Sequence, residues 1–258
     1  MELSNKSEDE VLKGDDLPTE TTNKISLVQK FVAELIGTAF LVFIVTGISV
    51  FSKKDNDNNN EDESYNGSFE AAFVLGSMIY VFGRISGAHF NPAVTVPMFL
   101  RKKISLIECC LYIGAQISGA LIGSILVGLC NRGKFSNLGG NTVETFDYYE
   151  EVGGWDFFSS FLIEVILTFG LVFVIFASTI KANNFGNLTG LVVGMSLYFL
   201  GIAGSHVSGG SLNPARSIAP AIIMALKGQT KPLKHLWLYI IAPLIGGIAA
   251  GYLNILFE

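Results

Sequence analysis

From about residue 28 onward, long apolar runs alternate with short polar ones. Stretches at about 28–51, 69–86, 104–130, 157–180, 188–206 and 235–257 match the roughly 20 residues that a helix needs to cross a hydrocarbon layer. Two further apolar segments, about 92–101 and 214–226, open on proline and are too short to span. They are predicted to be re-entrant half-helices, entering the membrane and returning to the side they came from. Six full spans place both termini on one side. Residues 1–27 are polar and acidic and are predicted to be a disordered cytoplasmic tail. The low-complexity run 52–64, rich in Asn and Asp, must form a solvated loop.

The apolar pattern repeats. AELIGTAFLVF (33–43) matches IEVILTFGLVF (163–173), SGAHFNPAVTV (86–96) matches SGGSLNPARSI (208–218), and YIGAQISGALIG (112–123) matches YIIAPLIGGIAA (239–250), in the same order. The first repeat covers about 28–130 and the second about 157–258. Each holds three full spans, so the second enters the bilayer from the opposite side and the two are related by an inverted pseudo-twofold axis. The predicted fold is therefore an all-α membrane protein of six spans and two half-helices, with the half-helices meeting near the middle of the bilayer.

Composition agrees with that reading and excludes others. Half of the 258 residues are hydrophobic and only 15% are charged, against roughly a quarter in soluble domains. A net charge of −5 without a basic patch argues against a nucleic-acid partner. Cys109, Cys110 and Cys130 have neither CxxC spacing nor histidine partners, so neither disulfides nor a metal site is expected. No nucleophile, metal or cofactor constellation appears, and no enzymatic activity is expected. Basic residues divide almost evenly between the two sides, with the cluster Arg101–Lys103 favouring cytoplasmic termini. Asn66, in Asn66-Gly67-Ser68, would then face outside as a candidate glycosylation acceptor.

The chemistry concentrates in the two Asn-Pro-Ala triplets, Asn91-Pro92-Ala93 and Asn213-Pro214-Ala215. Asn is a favoured N-cap and Pro a favoured first helical residue, so each triplet specifies a helix start. Two facing helix N-termini concentrate about half a positive charge apiece, which opposes cations and protons. Ahead of them, Gly87, Ala88 and His89, and Gly209 and Ser211, form stretches of mostly small residues whose carbonyls can line a narrow lumen. Donors at the centre and acceptors along one wall suit uncharged hydroxylic solutes. Arg216 follows the second triplet where the first has Val94, giving a constriction on one side only. Glu34 and Glu164 fall at matching places in the first span of each repeat and are expected to accept hydrogen bonds from re-entrant backbone N–H groups. Gly37, Gly119, Gly246, Gly247 and Gly251 read as close-approach points between helices. His206 and His235 read as solvent-facing loop residues.

With SGAHFNPAVT, SGGSLNPARS and AELIGT all present, the chain from about residue 28 to 258 resembles the aquaporin (major intrinsic protein) family. The resemblance implies a pore in every protomer of a homotetramer, with Asn91 and Asn213 orienting permeants and Arg216 lining an outer selectivity filter. Counting back from the two asparagines without gaps gives Ala71, Gly201 and Gly210 as the other filter positions. A slip in the second helix would instead bring Phe69 or Phe73 to the lumen. Water-selective members usually carry an aromatic and a histidine at the first two filter positions. Glycerol-conducting members carry aromatics at the first and third and glycine at the second. This chain fits neither pattern, and its small residues imply a wide filter. Ser217 and Ala221 resemble water channels instead. Gly210 stands where some members have a mercury-sensitive cysteine, so no mercurial block is expected at that site.

The expected function is a passive water channel that excludes ions and protons and whose wide filter also admits small uncharged solutes. An aquaglyceroporin-type facilitator for glycerol or urea is the alternative within the family. A poorly conducting junctional or scaffolding membrane protein is the alternative outside it. Secondary transporters share inverted repeats, but no coupling-ion ligands stand out here beyond the paired glutamates. The loop 181–189 offers Phe185 as a candidate gate at the cytoplasmic mouth. The host membrane is expected to be the plasma membrane or an osmoregulatory vacuole. No cofactor is expected.

Overall fold

A computed structural model describes residues 24–51, 62–145, 152–179 and 185–257, with the side chains of 62–66 and 179 excepted. The expected tail over 1–27 and the polar loop 52–64 therefore lie almost wholly outside the described residues. Six long helices form the bundle: α1 (Leu27–Phe51), α2 (Asp62–Ser86), α4 (Leu106–Cys130), α5 (Gly154–Thr179), α6 (Thr189–Ser205) and α8 (Lys231–Leu253). Two short ones, α3 (Pro92–Leu100) and α7 (Pro214–Ala225), are the half-helices. A 3-10 turn at Gly186–Leu188 extends α6 to a span of 20 residues, and all six long elements are apolar enough to cross a membrane. The chain is an integral, multi-pass membrane protein.

Helix ends follow local chemistry. At α4, Ser105 Oγ accepts from Glu108 N at 3.2 Å while Ser105 N donates to Glu108 Oε2 at 2.9 Å, a reciprocal cap that satisfies two otherwise orphaned donors. The structure starts α2 at Asp62, earlier than the expected residue 69, because polar residues continue a helix once its apolar part is anchored. α8 likewise begins at Lys231 rather than 235, with Pro232 in its first turn.

The helices pair as the inverted repeat requires. α1 packs on α4 and α5 on α8 within each half, α2 crosses α6 between halves, and each half-helix packs on the last long helix of both halves, α3 chiefly on α8 and α7 on α4 and α8 alike. Glycine allows these close approaches. A Cβ on Gly119 would stand 2.3 Å from Leu35 O, and one on Gly246 2.2 Å from Val165 O, equivalent places in the two halves. Gly247 meets Ala93 O at 2.2 Å in the same sense, so α8 lies directly against the first Asn-Pro-Ala triplet. At the α2–α6 crossing, Gly76, Gly190 and Gly194 each face backbone of the other helix at 2.7–2.9 Å from a would-be Cβ.

These contacts generate an expectation about stability. Gly246→Val, which cannot avoid the Val165 carbonyl, should destabilise the protein by about 1–3 kcal/mol or more. Gly114→Val, whose Cβ meets nothing within 4 Å, should change far less. Thermal unfolding in detergent, read by tryptophan fluorescence, compares the two.

Candidate functional site

The two half-helices start where the triplets specify. Asn91 and Asn213 are extended N-caps with Pro at the first helical position. Asn91 Oδ1 accepts from Ala93 N at 2.8 Å, and Asn213 Oδ1 accepts from Ala215 N at 3.0 Å and Arg216 N at 3.4 Å. The amide nitrogens cross the pseudo-twofold axis: Asn91 Nδ2 donates to Leu212 O at 2.8 Å and Asn213 Nδ2 to Phe90 O at 2.9 Å. Each side chain is thus fixed through its oxygen by its own helix and through one N–H by the opposite repeat. A primary amide carries two N–H donors, so one remains on each asparagine, and both residues line the central cavity.

The segments ahead of the triplets take unusual backbone conformations. Gly87, Ala88 and Phe90 have φ of 88°, 52° and 50°, and Gly209, Gly210 and Leu212 have 78°, 56° and 53°. Ala88, Phe90 and Leu212 bear a Cβ in this left-handed region, a strain that surrounding structure must hold. The fully buried carboxylates of Glu34 and Glu164 hold it. Glu34 accepts from Ser86 Oγ at 2.6 Å, His89 N at 2.9 Å, Phe90 N at 2.7 Å and Gln116 Nε2 at 2.9 Å. Glu164 accepts from Ser208 Oγ and Ser211 N at 2.7 Å and Leu212 N at 2.9 Å. Tyr112 donates to Ser86 O at 2.7 Å and Tyr239 to Ser208 O at 2.8 Å, closing the base of each loop. With those groups satisfied, the carbonyls of residues 87–89 and 209–211 accept no hydrogen bond among the described residues. Their acceptors remain available to a permeant.

A continuous cavity of about 1160 Å³ runs from the end bearing the termini to Arg216. One wall is polar and carries Ala88, His89, Asn91, Ser211 and Asn213; the other is apolar, with Leu41, Leu75, Leu171 and Leu197 among its residues. Gly87 and Gly210 lie on the same cavity, whereas Gly209 faces a second cavity of about 290 Å³ at the other end. Arg216 lines both and so separates them. Its Nη1 donates to Gly139 O at 2.8 Å and to Asn141 Oδ1 at 2.6 Å, and Asn141 Oδ1 also accepts from Ser217 Oγ at 2.9 Å. A buried guanidinium held this way keeps its remaining N–H groups for the lumen.

Placement of the other filter positions is uneven. Ala71 lines the cavity, while Phe69 and Phe73 meet as a tilted ring pair at 4.4 Å on the exposed surface of the bundle, away from the lumen. Gly201 is not on the cavity wall: a Cβ there would meet Ser68 Oγ at 2.9 Å, and its carbonyl backs Gly210. A histidine at 201 must displace Ser68 before it reaches the lumen. Gly186, Asn187 and Thr189 line the mouth nearest the termini, but the neighbouring Phe185 does not; residues 181–184 of that loop are outside the described set. The backbone of Asn66 lies in α2. His206 is exposed at the end of α6 as expected. His235 is not in a solvent-facing loop: it is buried in α8, where its Nδ1 accepts from Val143 N at 3.0 Å and its ring meets Phe157. Among the described residues no cluster of metal-ligating side chains occurs.

Sequence reasoning missed Asn141, which lies outside both repeats in a turn-rich segment and carries no pattern of its own. It also passed over Tyr112, Tyr239, Ser86 and Ser208 as functional supports. Their signal was present, since each pair occupies matching places in the repeated blocks.

The profile of the Major intrinsic protein family matches residues 21–254. The chain is 37% identical over 227 residues to glycerol uptake facilitator protein-like 6 of Lactiplantibacillus plantarum, covering 87% of this chain and 96% of that protein. It is 33% identical over 235 residues to the putative aquaporin NIP4-1 of Arabidopsis thaliana (88% and 74% covered) and 31% over 229 residues to nodulin-26 of Glycine max (88% and 77%). Among solved structures, the aquaglyceroporin from Plasmodium falciparum superposes with a TM-score of 0.76 at 22% identity, over 89% of this chain and 96% of that one.

Removing a carboxylate should collapse its loop. Glu164→Ala leaves three buried donors without an acceptor, at roughly 1–3 kcal/mol each. We expect a loss of several kcal/mol in detergent stability and no transport, with Glu164→Gln intermediate because one amide oxygen still accepts. A Glu164→Ala protein of native stability would contradict this role.

Proposed function

The chain belongs to the major intrinsic protein family and is a passive water channel, not an enzyme; from that premise we propose that its filter also passes small uncharged solutes. The observation that carries the proposal is the filter itself. Ala71 and Gly210 present a methyl group and a hydrogen to the lumen beside Arg216, and Gly201 adds no side chain. The arginine supplies donors and the carbonyls of residues 87–89 and 209–211 supply acceptors, so a hydroxylated or amide solute can exchange its water for protein partners along the path. Glycerol and urea are the candidate permeants. The facilitator-like name of the 37%-identical relative supports the glycerol arm, and the names of the plant relatives support the water arm.

Exclusion of ions follows from the centre. Two helix N-termini, each equivalent to about half a positive charge, face the same point, and Arg216 adds a full charge farther out. The remaining N–H donors of Asn91 and Asn213 orient a water oxygen toward the centre. A water whose oxygen accepts from both amides has no lone pair left to take a proton from a neighbour, so it can donate but not relay, which interrupts proton hopping.

Assembly and placement form part of the same reading. The protein is a homotetramer with a pore in each protomer, in the plasma membrane or the membrane of an osmoregulatory vacuole. Its termini are cytoplasmic. Arg84, at the end of α2, joins Lys24, Lys30 and Lys103 around the mouth nearest the termini, which supports that orientation through the preference of basic residues for the cytoplasmic side. Asn66 then belongs to the outer side.

Stopped-flow light scattering of proteoliposomes tests the proposal. We expect fast water flux, measurable glycerol or urea flux, and no loss of either on treatment with mercurials at the filter, where Gly210 offers no thiol. Fast water flux with both solutes excluded would contradict the wide filter. Normal oligomers with no flux of any kind would favour the scaffolding alternative.

A further inference from the structure

The inverted repeat relates the two ends of the lumen residue by residue. Ala71 stands twenty places before Asn91, and Gly201, Gly210 and Arg216 stand twelve before, three before and three after Asn213. The same steps taken from the opposite asparagine lead to Val193, Ile79, Ala88 and Val94. These four residues are therefore the counterparts of the outer filter at the inner end of the pore. All four line the central cavity. Val193, Val94 and Ala88 are buried, and Ile79 packs against the cluster that holds Ala88 and Val193.

The two rings have opposite chemistry. At the outer end the places hold alanine, two glycines and an arginine; at the inner end they hold valine, isoleucine, alanine and valine. The asymmetry in bulk is largest where Ile79 replaces Gly201, and the asymmetry in polarity where Val94 replaces Arg216. An apolar constriction opposes a polar solute twice over, by size and by the hydration it strips without replacing. Polar partners beside that ring include the carbonyls of residues 87–89, on one side of the lumen.

We infer that the inner ring of Ile79, Ala88, Val94 and Val193, rather than the outer filter around Arg216, sets the size limit for solutes in this channel. This deepens the wide-filter reading and rests on it: an open outer end leaves discrimination to the ring with the larger side chains. Water, small enough to keep a chain of neighbours through an apolar ring, is affected least. Solutes with several polar groups are affected most.

The test compares water, glycerol and urea flux in proteoliposomes for the native chain, Ile79→Ala/Val193→Ala and Ile79→Phe. The double variant should raise solute flux severalfold relative to water, or open it if the native chain excludes solutes. Ile79→Phe should lower solute flux before water flux. Size-exclusion chromatography of each variant confirms assembly. Should the double variant assemble poorly, Ile79→Cys, treated with a small methanethiosulfonate reagent, supplies an independent readout: attachment of the adduct should reduce solute flux more than water flux. An unmoved solute-to-water ratio in assembled ring variants that still conduct water would overturn the inference and leave the wide filter standing. Absence of water flux from assembled native protein would overturn the channel reading beneath both.

Discussion

Two buried carboxylates hold the backbone that makes the lumen. A bilayer interior tolerates non-helical backbone only where its polar groups find partners within the protein. Glu34 and Glu164 meet that condition by taking two consecutive N–H groups each, 89–90 and 211–212. Once the N–H groups turn outward to the carboxylates, the intervening carbonyls turn toward the lumen. The same bonds sustain the left-handed conformations at Ala88, Phe90 and Leu212, which side-chain-bearing residues adopt at a cost. Selectivity therefore begins with two side chains that do not themselves line the pore.

From this follows the meeting of the half-helices. Pro92 and Pro214 start each helix where its loop ends, and the crossed amide bonds of Asn91 and Asn213 tie each start to the carbonyl just before the other. The arrangement joins the two repeats at the point of highest positive potential. Van der Waals contact through glycines at the α1–α4, α5–α8 and α2–α6 crossings brings the long helices close enough to enclose it. Each half-helix packs on the last long helix of both repeats, so neither half encloses a pore alone.

Much of this was legible in the chain. Spacing and length gave the half-helices to within a residue or two, since Asn-Pro marks a start by local chemistry alone. The repeat placed Glu34 opposite Glu164 before any contact was known. Less visible were features set by packing between distant segments. The extended start of α2 is polar and has no apolar signature, His235 looked like a loop residue until α8 began earlier, and Gly201 proved to sit behind Ser68. Asn141 reaches Arg216 across 75 positions of sequence from a segment outside the repeat, where no periodicity points to it.

The central claim is that one lumen conducts water while its middle rejects positive charge. Simultaneous recording of osmotic water flux and of proton flux, with a pH-sensitive dye inside the same proteoliposomes, tests it most directly. The account predicts fast water flux with weak temperature dependence and proton flux no greater than in protein-free vesicles. Proton flux that rises in step with water flux, or water flux no faster than through lipid alone, would contradict it.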